Sequence, residues 1–494
     1  MAGIGFSLQR PDKENCDPER QRGGRYGAMA IIGPWIFAIL AFEILRRSLR
    51  LEGADDDGLP LQSSIIYLFL VSLVSAAPVT AIMLRMVFDD IHRRQSEHVV
   101  TIYLLALAGS MTVGLIAAQV AFGIVAGFPA ADMFPMMAAS GAMAMTWTAA
   151  TFAAAIRAYK AIGYAFMVGF ALAVAATLFV AGQSGGPQIQ ALAFACGFAS
   201  TFVWLSGEVI RVFDGPSAGE LRPVVKRVLR DGLRYRTIGF GAFAAAAAIW
   251  TDSIVVWFGP FGEVASNGLS TMPFYDSAMF VSRISMLPGL LVFLAFHDGI
   301  WFDRMQGFLR AVNRNEALER IMAQSALLEG AVRRGLLWLI AIQSLIAVML
   351  YVLAPALIEP FGMMYQQTGI LRVGLLGTLF FALFSLMATL VLYLGRDCEF
   401  LRLQLAFLVL NGLATYFFMR WGADYLGFGF LVASVAGAVF AAAVLEDTLN
   451  RLPYITFANA LRNSRNVYAS RAPRRFVVAL RPFSLSDLLP ARLR

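Results

Sequence analysis

The chain of 494 residues is 59% hydrophobic and only 15% charged, with a mean hydropathy of +0.68, whereas soluble domains carry roughly 25% Asp, Glu, Lys and Arg. So few charges cannot coat the roughly three soluble domains that this length would allow, which excludes a soluble enzyme and leaves an all-α polytopic membrane protein. The 40 Lys and Arg against 32 Asp and Glu give a net charge of +8, read first as retention of cations on the cytoplasmic side of a membrane rather than as a nucleic-acid footprint.

A bilayer core of about 30 Å needs about 20 mostly apolar residues per helix. After a polar leader, 1–26, runs of that kind occur at 27–45, 62–84, 99–127, 133–155, 161–182 and 188–210, then at 237–259, 277–299, 335–355, 373–395, 400–419 and 424–445. That is twelve expected transmembrane helices. The first run exceeds the usual 7 to 15 apolar residues of a signal peptide, so it is expected to stay as helix one.

A basic segment, 213–236, divides the chain into two six-helix halves, 27–212 and 237–457, the layout of transporters with a cavity between similar halves. Within the second half, residues 301–334 place Trp301, Met305, Phe308, Val312, Leu318, Ile321 and Met322 at helical spacings between charges. This pattern predicts amphipathic helices on the membrane surface, broken near 313–315, or a solvated connector packed on the inner helix ends. A basic tail, 458–494, closes the chain.

With the N-terminus inside, alternate segments collect 34 of the 40 cations on the inner face, against five outside (Arg46, Arg47, Arg50, Arg372 and Arg420) and Arg283 within a span. The bias predicts that both termini are cytoplasmic. Arg46 to Arg50 dissent, partly offset by Glu52 and Asp55 to Asp57. Arg85 with Asp89, and Glu208 with Arg211, have the spacing of local ion pairs. The basic run Arg222 to Arg236 suits anionic lipid head groups or a cytosolic partner.

No HExxH, GxSxG or GxxxxGK[ST] motif occurs, which removes the simplest signatures of zincins, serine hydrolases and P-loop enzymes. Cys16, Cys196 and Cys398 form no pattern, and His92 and His98 lie in a charged loop. No catalytic residue, metal or cofactor is expected, and no nucleic-acid partner: the protein works by moving something.

Ionisable residues inside a span are costly and usually face a cavity or a partner. Asp252 and Arg283 both fall roughly 10 Å in from the outer surface at 1.5 Å per residue, on consecutive antiparallel helices, and can pair, either as an ion-coupling or gating site or as a static structural link. Asp276 stands seven residues before Arg283, on roughly the same face, and can alternatively cap its helix. Tyr275, Trp250 and Trp257 offer rings for stacking against sugars, or simply sit at the membrane interface. Gly33-Pro34, Pro78 and Pro288-Gly289 mark helix breaks or hinges flanking the cleft, or passive kinks.

Three clusters resemble one family. They are Met1-Ala2-Gly3-Ile4-Gly5-Phe6 with Tyr26-Gly27 and Gly33-Pro34-Trp35; then Trp250-Thr251-Asp252, Trp257-Phe258, Tyr275-Asp276, Met279-Phe280 and Pro288-Gly289; and last Asn450-Arg451-Leu452-Pro453-Tyr454-Ile455-Thr456-Phe457. In these the chain is similar to the PelG family, the inner-membrane exporter subunit of Pel exopolysaccharide machinery, within the multidrug, oligosaccharidyl-lipid and polysaccharide exporters. It departs from the usual pattern at Ser253, where relatives carry Lys, at Arg283, at His297-Asp298, at Pro453 and in the 37 residues after 457. On that resemblance the Asp252–Arg283 pair stands in for an Asp–Lys pair, its cation moved one helix along. The resemblance implies export of a hexosamine-rich exopolysaccharide, a cytosolic glycosyltransferase and small membrane subunits as partners, and an ion gradient or chain elongation as the energy source. A lipid-linked oligosaccharide flippase or multidrug exporter of the same fold is the alternative, and a non-transporting scaffold the third.

Overall fold

A computed structural model describes residues 19–51, 58–92, 96–213, 221–314, 316–358 and 361–457. The first half comprises α1 (Glu19–Leu51), α2 (Leu59–His92), α3 (Val99–Ala118, prolonged by a π turn, Gln119–Val125), α4 (Ala130–Ala155), α5 (Tyr159–Ala181) and α6 (Pro187–Val212). The connector holds α7 (Leu221–Gly232). The second half runs through α8 (Arg236–Ala248), α9 (Thr251–Trp257), the hairpin β1 (Glu263–Val264) and β2 (Ser270–Thr271), α10 (Pro273–Ile284), α11 (Leu287–Phe296), a π turn at His297–Trp301, α12 (Phe302–Asn313), α13 (Leu318–Ile358), α14 (Thr368–Tyr393), α15 (Asp397–Met419) and α16 (Phe428–Asn450).

All twelve expected spans are helical: α1 to α6 carry the first six, α8 with α9 the seventh, α10 with α11 the eighth, and α13 to α16 the rest. Among the described residues, nine helices are long and apolar enough to cross a membrane, ten when the bent pair α8–α9 counts as one. α4 is not among the nine: it is rich in Ala, Met and Thr and packs between α2, α3 and α6. A helix shielded by protein has no need of side chains that lipid would select.

Each half has its own aromatic core. Phe69, Trp147, Phe166, Phe170, Phe194 and Phe198 pack edge to face in the first. Phe381, Phe384, Phe407 and Phe430 cluster in the second with their rings tilted to one another, Phe384 stacked on Phe407 at 4.6 Å. Such pairs contribute beyond the area they bury.

Several expectations are corrected. Residues 19–26 belong to α1 rather than to a free leader, whose remaining residues, like the tail 458–494, lie outside the described residues. The 301–334 segment is not a separate surface element. It breaks near residue 314 as expected, but α12 continues α11 through the π turn, and α13 is one helix of 41 residues. At about 60 Å, α13 is twice as long as a bilayer core is thick, so its amphipathic start is the protruding part of a spanning helix. α12 packs along it, closer to the connector reading.

The 213–236 segment folds too. Val224 and Val228 of α7 are buried against the bundle, Arg227 donates to the buried Asp90, and Arg230 binds Asp231 at 2.8 Å. Of the local pairs, Glu208–Arg211 closes at 2.6 Å and Arg85–Asp89 at 3.7 Å, Asp89 also accepting from Tyr235. Arg46 and Arg47 are held by Glu43 at 2.9 and 2.6 Å, one turn earlier on α1; Glu52 and Asp55 to Asp57 lie outside the described residues.

Candidate functional site: a buried ion pair beside an inter-half cavity

Span seven has no proline, yet it breaks. The hydroxyl of Thr251 donates to the Ala247 carbonyl at 2.9 Å, competing with the backbone ladder, and Asn411 Nδ2 on α15 takes up the freed Ala248 carbonyl at 3.2 Å. α9 then leaves α8 at 51°. The bend carries Asp252 inward, where it is 0% exposed.

Span eight breaks at Ser285–Met286, two residues before Pro288. Ser285 Oγ donates to the Ser282 carbonyl at 2.6 Å, and Gln343 Nε2 on α13 satisfies the Ser285 carbonyl at 2.9 Å. The break ends α10 just after Arg283. Its Nη2 lies 2.7 and 2.6 Å from the two carboxylate oxygens of Asp252, and its guanidinium sits over the Phe430 ring at 5.6 Å. Tyr275 Oη donates a further bond to Asp252 Oδ2 at 2.7 Å. Asp252 thus accepts from a cation and a phenol, the arrangement that makes a fully buried carboxylate tolerable.

Asp276 faces a different partner. Trp257 Nε1 donates to its Oδ2 at 2.6 Å, and the Met272 amide reaches the same oxygen at 3.4 Å, so the capping role is met together with a side-chain one. Trp257 stacks on Tyr67 of α2 at 4.9 Å, and Tyr67 donates to the Ser270 carbonyl at 2.8 Å.

Between the halves lies a cavity of ≈ 760 Å³ walled by α1, α2, α4, α5, α10, α11 and α14, with the α8–α9 bend. Its wall carries Trp35, Trp147, Trp250 and Trp257, with Asp276 and Arg283 as the charged groups beside them and Glu43 and Arg46 nearer one end. The seven-residue spacing holds, since Asp276 and Arg283 both line this space.

Tyr275 does not. It is fully buried and committed to Asp252, because residues adjacent in a helix point about 100° apart and Asp276 takes the cavity side. It is therefore no stacking platform; Trp250 is on the wall, and Trp257 borders the cavity but is 2% exposed with one face stacked on Tyr67. The hinge residues divide as well. α1 and α2 run unbroken through Gly33-Pro34 and Pro78, and Pro34 lines the cavity. Pro288 does interrupt its span, but Gly289 faces α13: a Cβ there would stand 2.5 Å from Gln343 Oε1. That end of the break is an interhelical packing site rather than a flank of the cleft.

Two residues that join the halves escape a reading of the sequence by spans, Tyr67 and Asn267. At the hairpin tip, where Gly268 has φ +83°, Asn267 Nδ2 donates to the Pro60 carbonyl at 2.7 Å and stands 3.1 and 3.0 Å from the hydroxyls of Ser63 and Ser64. The Asn-Gly dipeptide, a strong hairpin signal, would have revealed it. Asn267→Ala is expected to cost about 2 kcal/mol, the net worth of two such bonds, seen as a lower melting midpoint of the detergent-purified protein. An unchanged midpoint would mean that the hairpin does not hold the halves.

The sequence matches the family model of PelG, described as "Putative exopolysaccharide Exporter (EPS-E)", over residues 1–457. No curated protein matches the chain. In fold it is similar to a MOP superfamily transporter from Pyrococcus furiosus Vc1 (DSM3638), at TM-score 0.60 and 14% identity over 88% of this chain and 96% of that one. It is also similar to a multidrug resistance MATE family transporter of the MOP superfamily in an outward-facing conformation, at TM-score 0.60 and 13% identity over 90% of this chain and all of that one (100%). A MATE structure in a bent conformation aligns at TM-score 0.55 and 15% identity over 86% and 95% of the two chains. With the family match running over both six-helix halves and the fold that of multi-pass carriers, the chain belongs to the PelG family of exopolysaccharide exporters, on the MOP transporter fold.

Proposed function

We propose that the chain exports a hexosamine-rich, Pel-like exopolysaccharide across the bacterial inner membrane, through the cavity between its halves, from a cytosolic glycosyltransferase and with small membrane subunits holding the polymer in place. The observation that carries this reading is the wall of the cavity: four tryptophans with the Asp276 carboxylate and the Arg283 guanidinium beside them. Indole faces suit the C–H faces of sugar rings, while Asp276 accepts from hydroxyl, amide or ammonium groups of an amino sugar, and Arg283 donates to hydroxyl and carbonyl oxygens. The family supports the substrate class, and the 34 inner-side cations support cytoplasmic termini. Elongation of the polymer, or an ion gradient, drives the movement. The Asp252–Arg283 pair, with Arg283 on the wall and Asp252 just behind it, is the candidate coupling site.

Filling the cavity tests this directly. Ala150 is a small, half-buried wall residue on α4, and Ala150→Trp is expected to cut secreted polymer at least tenfold while membrane levels of the protein stay normal. Undiminished secretion would remove the cavity as the path. Restored drug or lipid-linked oligosaccharide efflux without restored polymer would favour the other branches of the fold.

A further inference from the structure

A second recess lies away from the transport cavity, where α11 and α12 pass α13. Its volume is ≈ 390 Å³ and its lining is Val292, Phe296, Ile300, Arg304, Ala331, Arg334, Gly335 and Trp338. Val292, Phe296, Ile300 and Arg304 follow at intervals of four on one rod, so three apolar groups and then a cation share one face. On α13, Arg334 and Trp338 are likewise four apart. The floor is close-fitting, since a Cβ on Gly335 would stand 2.5 Å from the Phe296 ring.

The position of the recess along α13 gives its chemistry. Arg333 and Arg334 are the last charges before 24 residues without one, 335–358, so both cations of the recess stand where the helix leaves water for lipid. Arg333 is paired with Glu329 at 3.3 Å. Arg304 and Arg334 have no ion-pair partner among the described residues, and both are exposed. Trp338 is 67% and Ile300 56% exposed, large apolar groups turned outward at the same boundary. Two unpaired guanidiniums above an apolar slot with a lateral tryptophan match one kind of molecule, with an anionic head and a hydrocarbon tail.

We infer that this recess binds an anionic glycerophospholipid, its phosphate between Arg304 and Arg334 and an acyl chain along Ile300, Phe296 and Trp338. Bound there, the lipid ties the α11–α12 rod to α13 at the point where α13 emerges from the membrane.

Native mass spectrometry of the delipidated full chain tests this, with phosphatidylglycerol, phosphatidylethanolamine and inorganic phosphate as separate probes. One phosphatidylglycerol is expected to be retained, in preference to phosphatidylethanolamine. R304Q and R334Q should each weaken it about five-fold and together about 25-fold. R333Q, one position along and already paired, should leave binding unchanged. W338A should weaken both lipids while keeping the anionic preference. Equal retention of phosphatidylethanolamine, single or double glutamine variants that bind like the parent, or displacement by equimolar inorganic phosphate would each overturn the site. If the double variant is not monodisperse, the two single variants decide.

Discussion

Neutralising either member of the Asp252–Arg283 pair alone is expected to destabilise the protein by about 3–5 kcal/mol, the usual result of leaving one buried charge without its counter-charge. The two single variants should not be equal. Arg283 is 14% exposed and lines the cavity, while Asp252 is fully buried. In Asp252→Asn the guanidinium keeps access to the cavity and to the Phe430 ring. In Arg283→Gln a carboxylate remains inside the protein with only the Tyr275 hydroxyl for support, so this variant should be the worse of the two. Asp252→Asn/Arg283→Gln carries no net charge into the core and should recover most of the loss. Melting midpoints of purified protein read the stability, and secreted polymer reads the function. A double variant no better than Arg283→Gln would sink the pairing. A stable double variant that still exports would make the pair a structural link, and a stable one that does not export would make it the coupling or gating element. The cycle separates the two roles because only the functional one requires the charges once the fold is restored.

Much of this pair is legible in the sequence alone. A bilayer permits helices of set length and penalises charge inside them, so two ionisable groups at matched depth on consecutive spans have few options but to meet. The same constraint made the helical spans readable from composition, and Pro288, which removes a backbone donor, marked the break in span eight.

What escaped were features set by tertiary partners. Nothing in the alanine-rich run 244–248 signals that span seven bends, because the carbonyl freed there is satisfied by Asn411, 163 residues away. Tyr275 and Asp276 looked equally suited to the cavity, and only packing decides which of two neighbours turns inward. Residues 318–334 read as a surface helix because the protruding end of a spanning helix is wetted on one side and packed on the other, the same pattern that a membrane surface imposes. Tyr67 sits in an apolar run like any other tyrosine, and its stacking on Trp257 spans 190 positions.

The tightest helix crossing in the first half gives the other large effect. Ala165, Gly169 and Ala173 on α5, and Ala193, Gly197 and Thr201 on α6, repeat every four residues, the small-residue pattern that lets membrane helices approach closely. A Cβ on Gly197 would stand 2.5 Å from the Ala173 amide nitrogen and 2.6 Å from its Cβ, and a backbone nitrogen inside a helix cannot swing aside. The helices would have to part, pulling Thr201 from the Ala165 carbonyl at 3.1 Å and Thr146 from the Phe198 carbonyl at 3.0 Å, and loosening Phe170 against Phe194 and Phe198. Gly197→Ala is therefore expected to cost about 3 kcal/mol, at the upper end for overpacking, and Gly197→Leu to prevent accumulation of folded protein. Gly207, on the same helix, has nothing within 4 Å of its would-be Cβ, so Gly207→Ala should be neutral or gain up to about 1 kcal/mol from helix propensity. Opposite outcomes from one added methyl at two sites on α6, read as melting midpoints, would place the effect in the crossing rather than in the helix. Equal outcomes would mean that α5 and α6 are not held in this close register.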